Sequence, residues 1–208
     1  MSSAAIVLCG GRSRRMGKDK YALDFGGETL LDRTIRILRS VVDEIVVVAR
    51  EGTDVPATVR DPAEGLGPLA GLTAGLEAMK AGRAFLAACD APFLKPEYVR
   101  LLLDLAEGHD AAVPLVDGYH MTTAAVYGKS VLPVARRLLD ERRLRPLFLI
   151  HEIDARIVSE EEVRAVDPDL ASLRNCNTQE SYRQALKDAG LYTPDSNDAG
   201  DEPADESD

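Results

Sequence analysis

Two adjacent glycines, Gly10 and Gly11, follow directly on the apolar run "AAIVLC" (4–9). Five cations, Arg12, Arg14, Arg15, Lys18 and Lys20, crowd the nine positions after them. Glycines placed at the end of a strand let backbone N–H groups approach a ligand without a Cβ in the way. Clustered cations repel one another unless an anion sits among them. The chemistry this points to is polyphosphate binding; a solvated basic turn that happens to hold glycines is the plainer alternative. Two well-known phosphate loops do not fit. A dinucleotide fingerprint needs Gly-x-Gly-x-x-Gly, whereas here the glycines are adjacent and the next is Gly17. A Walker A loop counted back from Gly17-Lys18 puts Arg12 at its first glycine and Asp19 at its magnesium-binding hydroxyl.

Two further segments carry chemistry. In "AACDAPFLKPEYV", Asp90 stands directly after the apolar run 84–89. A carboxylate at the carboxyl end of a strand suits Mg²⁺, which takes one or two carboxylates together with phosphate oxygens. Turn or cap hydrogen bonds in Asp-Ala-Pro are the other reading. In "RDPAEGLGPLAGLTAGL" (60–76), Asp61 follows the short strand-like "ATVR", and Gly65, Gly67, Gly71 and Gly75 lead into a helix of small residues. Such a stretch admits either a flat base and ribose against the backbone or tight helix–sheet packing. His120 and Arg145 are weaker candidates. His120, in a turn, suits a phosphate contact, and Arg145 suits an anionic substrate; both equally suit an exposed surface.

The elements that must position these residues alternate. Strand-like runs are expected at 4–9, 44–49, 84–89, 111–116, 122–127 and 155–158, several apolar at consecutive positions, as in strands buried on both faces of a mostly parallel sheet. Amphipathic patterns between them predict helices. In "TLLDRTIRILRSV", Leu30, Leu31, Thr34, Ile35 and Leu38 recur at three- and four-residue steps. Further helices are expected over 69–82, 95–108, 130–140, 144–152 and 178–190. "DGYH" (117–120) reads as a turn that makes one late strand pair antiparallel. Strand–helix alternation implies an α/β layered domain. One domain over 1–192 is expected.

The final residues, 193–208, hold seven acidic groups and no basic one, which leaves about −3 of the net charge of −10 for the rest. With no aromatic or large aliphatic side chain, this segment is expected to be a disordered acidic tail. The near-neutral body gives nucleic-acid binding little support. No apolar run approaches the roughly 18 residues of a membrane span, and the first residues do not read as a signal peptide, so a cytoplasmic location is expected. Cys9, Cys89 and Cys176 share no metal-type spacing, so neither a disulfide nor a zinc site is expected.

Together the segments resemble the MobA-like nucleotidyltransferases. "LCGGRSRRMGKDK" resembles the family's Leu-x-Gly-Gly-x-x-x-Arg-Met-Gly-x-x-Lys signature, "GLGPLAGL" and "CDAPF" its second and third motifs, and "NCNTQESY" (175–182) its Asn-x-Asn-Thr-Pro motif. The likeness runs from about residue 4 to 190. It implies a Rossmann-like three-layer α/β nucleotidyltransferase fold with a mostly parallel central sheet. The implied reaction joins GMP from GTP to molybdopterin-bound molybdenum and releases pyrophosphate, with Mg²⁺ as cofactor. The resemblance also implies that Leu8, Cys9, Gly10 and Gly11 meet the nucleotide through their backbone, that Arg15 and Lys20 contact its phosphates, and that Asp61 lies near the nucleoside. Asp90 would bind the metal, and Asn175, Asn177 and Thr178 would face the molybdopterin side. Transient contact with enzymes that make or receive the cofactor follows, with no nucleic acid or membrane as partner. Cys9 replaces the usual alanine, and Gln179 the common proline. No asparagine follows strand 44–49, where some members place one near the guanine. Use of CTP, another phosphorylated acceptor, or a non-catalytic nucleotide-binding adaptor are the competing expectations.

Overall fold

The computed structural model describes residues 2–9, 19–61 and 66–193. Gly10, Gly11, Arg12, Arg14, Arg15, Lys18, Gly65 and the acidic tail from 194 onward lie outside the described residues.

Eight strands form one sheet: β1 (Ser3–Cys9), β2 (Glu44–Arg50), β3 (Val59–Asp61), β4 (Arg83–Ala88), β5 (Ala111–Val116), β6 (Tyr119–His120), β7 (Ala125–Gly128) and β8 (Ala155–Ser159). The order is β3-β2-β1-β4-β7-β5-β6, with β8 on β5. β1, β2, β3 and β4 are parallel, and β7 is antiparallel to both β4 and β5. Two reversals restore direction, so the carboxyl ends of β1, β4 and β5 open on one edge. In an open α/β sheet, that edge is where ligands bind.

Both faces are covered. On one, Ile6, Val46, Leu86 and Val113 pack with α2 (Gly67–Ala78), α4 (Leu132–Asp140) and α5 (Pro146–Ile150). On the other, Val7, Val47, Phe85 and Val126 pack with α1 (Leu30–Leu38), α3 (Pro96–Leu105) and α6 (Glu160–Arg164). The strand interiors read as unbroken apolar runs because alternate side chains go to opposite, equally buried layers. The result is the expected three-layer α/β fold with a mostly parallel sheet. A third cluster seats α7 (Gln179–Asp188) through Ala185 and Leu186 against Leu23, Phe25 and Leu30.

Two expectations need correction. Of the expected strand 122–127 only 125–127 is extended, and the strand runs on to Gly128. Thr122 to Ala124 turn instead, with the Tyr127 hydroxyl donating to Thr122 O at 2.9 Å and Tyr98 to Ala124 O at 2.7 Å. The turn at 117–120 is shorter than read. Asp117 (φ 50) and Gly118 (φ 78) make it, both left-handed, as a tight hairpin demands, while Tyr119 and His120 already pair with Val116 and Leu115. Helix α6 was not anticipated; a Ser159–Glu162 capping box starts it.

The two readings of the small-residue helix divide by position. A Cβ on Gly75 would lie 2.5 Å from Ile6 Cγ2, and one on Gly71 would lie 2.8 Å from Leu8 Cδ2. These two glycines therefore serve close packing of α2 on β1. Gly75→Ala should lower stability by a net of about 1–2 kcal/mol, because overpacking outweighs the gain of about 1 kcal/mol in helix propensity. Ile6 is fully buried and cannot retreat. Gly71→Ala, against the more mobile Leu8, should cost less. Urea unfolding of the two variants measures this, and an unshifted Gly75→Ala midpoint would contradict it.

Candidate functional site

At the carboxyl edge, three chain segments meet on one ammonium group. Lys20, opening a short 3-10 turn (Lys20–Ala22), places Nζ 2.9 Å from Asp90 Oδ2 and 2.6 Å from Asn177 Oδ1. The partners lie 70 and 157 positions away in the chain. Asp90 is only 6 % exposed, in the turn that ends β4. Its carbonyl accepts Cys176 N–H at 2.8 Å, which ties the turn to the segment carrying Asn177. An ion pair this little exposed is screened far less than a surface pair. The local geometry has plain causes: β4 ends in a turn at Asp-Ala-Pro, and Thr178 N-caps α7 by accepting Ser181 N–H, which fixes the residue after Asn177.

The other expected site residues take different places. Leu8 is half-buried in β1 with its side chain toward α2, and its carbonyl accepts Cys89 N–H at 3.3 Å. Cys9 closes β1 beside Cys89, both thiols buried and free. A hydrogen bond with Cys9 and then burial raise the Cys89 thiol well above its ordinary range. Cys176 is pushed up to about 11, chiefly by burial and then by the Asp90 charge. Cys89 and Cys176 are thus neutral at physiological pH, consistent with small buried hydrophobes. Asp61 closes β3 opposite Arg50 on the same edge. Arg145 is exposed before α5, where the Leu144 carbonyl approaches the start of α2 at Gly67. His120 meets His151 ring to ring, centroids 6.4 Å apart. Gly10, Gly11 and Arg15 lie outside the described residues.

Next to the ion pair is a shallow cleft open to solvent. Phe85, Ala87 and Ala88 of β4 form its floor, Met121, Thr123 and Ala124 one wall, and Ser172, Leu173 and Asn175 the other. Asn175 is thus a cleft residue, Asn177 an ion-pair partner and Thr178 a helix cap. Sequence reasoning missed most of the walls: "TTA" (122–124) read as part of a strand, and "ASLR" (171–174) carried no local signal. It also missed the buried Asp167, within a Pro-containing turn, whose Oδ1 lies 2.7 Å from Lys95 Nζ.

The donor set fits a hard divalent cation. Asp90 offers carboxylate oxygens on the edge where a nucleotide's phosphates would lie, which is the partial coordination Mg²⁺ accepts. Among the described residues no three acidic, histidine or cysteine side chains gather into a metal cage, so the remaining ligands would be phosphate oxygens and water. Among the same residues no helix is long and apolar enough to cross a membrane.

A family model described as "MobA-like NTP transferase domain" matches residues 5–155. A probable molybdenum cofactor guanylyltransferase of Methanosarcina acetivorans is 36% identical over 89% of this chain and 90% of its own length. A molybdenum cofactor guanylyltransferase of Desulfosudis oleivorans is 36% identical over 86% of this chain and 92% of its own. Among solved structures, the molybdopterin-guanine dinucleotide biosynthesis protein A of Archaeoglobus fulgidus superposes with a TM-score of 0.79 at 26% identity, covering 91% of this chain and 100% of that one.

Proposed function

The chain belongs to the MobA-like NTP transferase family, and on that footing we propose that it transfers GMP from GTP to the terminal phosphate of molybdenum-loaded molybdopterin. The products are molybdopterin guanine dinucleotide and pyrophosphate. The observation that carries this reading is the convergence of Lys20, Asp90 and Asn177 at the carboxyl edge, beside an open cleft. A cytoplasmic enzyme of one domain with an acidic tail, passing its product to cofactor-using enzymes by transient contact, accords with it.

The chemistry needs no protein nucleophile. An oxygen of the acceptor phosphate forms a bond to the α-phosphorus of GTP, in line with the departing bond to the β-phosphate bridging oxygen, and pyrophosphate leaves with that electron pair. Catalysis is then positioning plus charge stabilisation. Lys20 sets a compact positive charge where negative charge grows on the phosphates. Asp90 orients that ammonium and would hold the divalent ion, which we take to be Mg²⁺. When bound, such an ion neutralises phosphate oxygens and lowers the barrier to their displacement. Asn177 offers an amide on the acceptor side of Lys20, and Asn175 stands in the cleft wall to receive the pterin. Arg15 and the backbone of Gly10 and Gly11 are assigned to the nucleotide phosphates, and Asp61 to the nucleoside, on the family resemblance.

Pyrophosphate release with each of the four NTPs, Mg²⁺ and molybdenum-loaded molybdopterin tests the proposal. Release should require GTP and the acceptor together. Dependence on CTP would overturn the guanylyl assignment, which the lack of an asparagine after β2 leaves to residues 10–18 and the "GLGPLAGL" segment. No release with any of the four nucleotides would mark a binder without turnover.

A further inference from the structure

The two walls of the cleft are not held by core packing alone; each is pinned by buried polar groups that the reaction itself does not use. The wall at 121–124 hangs from two fully buried tyrosines, Tyr98 and Tyr127, whose hydroxyls donate to the carbonyls of Ala124 and Thr122. The opposite wall is a strap running from Ala171 to Asn177. It is clipped near one end by Cys176 N–H to Asp90 O. At the other end stands a closed ring. Asp167 Oδ2 accepts Ser172 N–H at 2.7 Å, Ser172 Oγ accepts Lys95 N–H at 3.0 Å, and the Lys95 ammonium returns to Asp167 Oδ1 at 2.7 Å. Leu173 and Asn175, between the two clips, face the cleft.

Resting on the reading of the cleft as the acceptor's seat, we infer that Asp167 is a positioning residue: its carboxylate sets the register of the Ala171–Asn177 strap against the Asp90 turn, and so the fit of the pterin-phosphate acceptor. Asp167 is fully buried and Ser172 nearly so, while Lys95 reaches partly into solvent. Burying a carboxylate is a poor route to stability, since apolar residues of like volume often serve as well or better, while removing one partner of such a pair is costly. What a carboxylate supplies that a leucine cannot is direction. One oxygen accepts Ser172 N–H while the other pairs with the Lys95 ammonium, so two segments are held at once, and a one-ångström error in a substrate-bearing wall can cost about 10²-fold in rate. Burial pushes the Asp167 carboxyl upward, but the bonds from Lys95 and Ser172 outweigh it and hold the group below its ordinary value. The ring therefore remains charged throughout the working range. Arg174, in the middle of the strap, stacks over Phe93 and pairs with Asp188, which leaves register along the strap as the freedom the ring removes.

Three proteins test this: wild type, Asp167→Asn, and the paired apolar replacement Lys95→Met/Asp167→Leu. The pair guards against simple unfolding, because it removes the charges together. The measurements are thermal unfolding, GTP affinity by calorimetry without acceptor, and steady-state kinetics with molybdenum-loaded molybdopterin varied. Both variants should keep GTP affinity within about twofold, and the paired variant should unfold at or above the wild-type temperature. In both, kcat/KM for the acceptor should fall about 10²-fold, mainly through KM. A paired variant that uses the acceptor as wild type does would overturn the inference, as would equal losses of GTP and acceptor binding in Asp167→Asn. A wild type that makes no dinucleotide from GTP removes the functional reading, and this inference with it.

Discussion

Asp90→Asn should reduce dinucleotide formation by about 10³-fold or more while GTP still binds, with an affinity within about tenfold of wild type. The change is nearly isosteric, and the hydrogen bond that Asp90 makes to Cys176 uses its backbone carbonyl, so the turn and the strap stay in place. What disappears is the negative charge. Lys20 loses the partner that orients it at 2.9 Å, and a divalent ion loses its protein carboxylate. Both losses fall on the charge that develops during transfer, so kcat carries the effect. Pyrophosphate release at saturating Mg²⁺, beside calorimetry of GTP alone, separates the two quantities. Near wild-type turnover at saturating Mg²⁺ would show that Asp90 serves only the turn.

Lys20→Ala is expected to lower kcat/KM for GTP by about 10²–10³-fold, the usual loss when one preorganised charge at a reacting phosphate is removed. Its side chain is 21% exposed and its position is set by two oxygens, so the ammonium is already aimed before nucleotide arrives. Asp90 would be left with its carboxylate largely buried and without that cation. Lys20→Arg should restore little. A planar guanidinium cannot fit the compact point between Asp90 Oδ2 and Asn177 Oδ1 that an ammonium occupies. Initial rates with GTP varied measure both variants, and an alanine variant with unchanged kcat/KM would remove Lys20 from the mechanism.

Local sequence carried much of this. The apolar runs at β1, β2, β4 and β5 are legible because a doubly covered strand must be apolar at every position. The amphipathic helices are legible for the converse reason. Lys20, Asp90 and Asn177 were each marked by the motif around them, and the strand-end position of Asp90 follows from the run before it. Where local signals misled, tertiary partners were responsible. Thr122 and Thr123 have β-branched side chains suited to a strand, yet the hydroxyls of Tyr98, from helix α3, and of nearby Tyr127 hold their segment in a turn. Gly71 and Gly75 fitted a ligand as well as a neighbouring strand until Leu8 and Ile6 were seen against them.

The sequence by itself determined the layered α/β class, the strand-end position of Asp90 and the motifs that single out Lys20, Asp90, Asn175 and Asn177. These depend on periodicity and on motifs, both of which are local. Only the tertiary structure decided that Lys20 lies between Asp90 and Asn177, that Asn175 faces a cleft walled by residues 121–124, and that Asp167 pairs with Lys95. Those relations join residues tens to more than a hundred positions apart, and a chain specifies them through packing summed over the whole core rather than through any spacing that can be read along it.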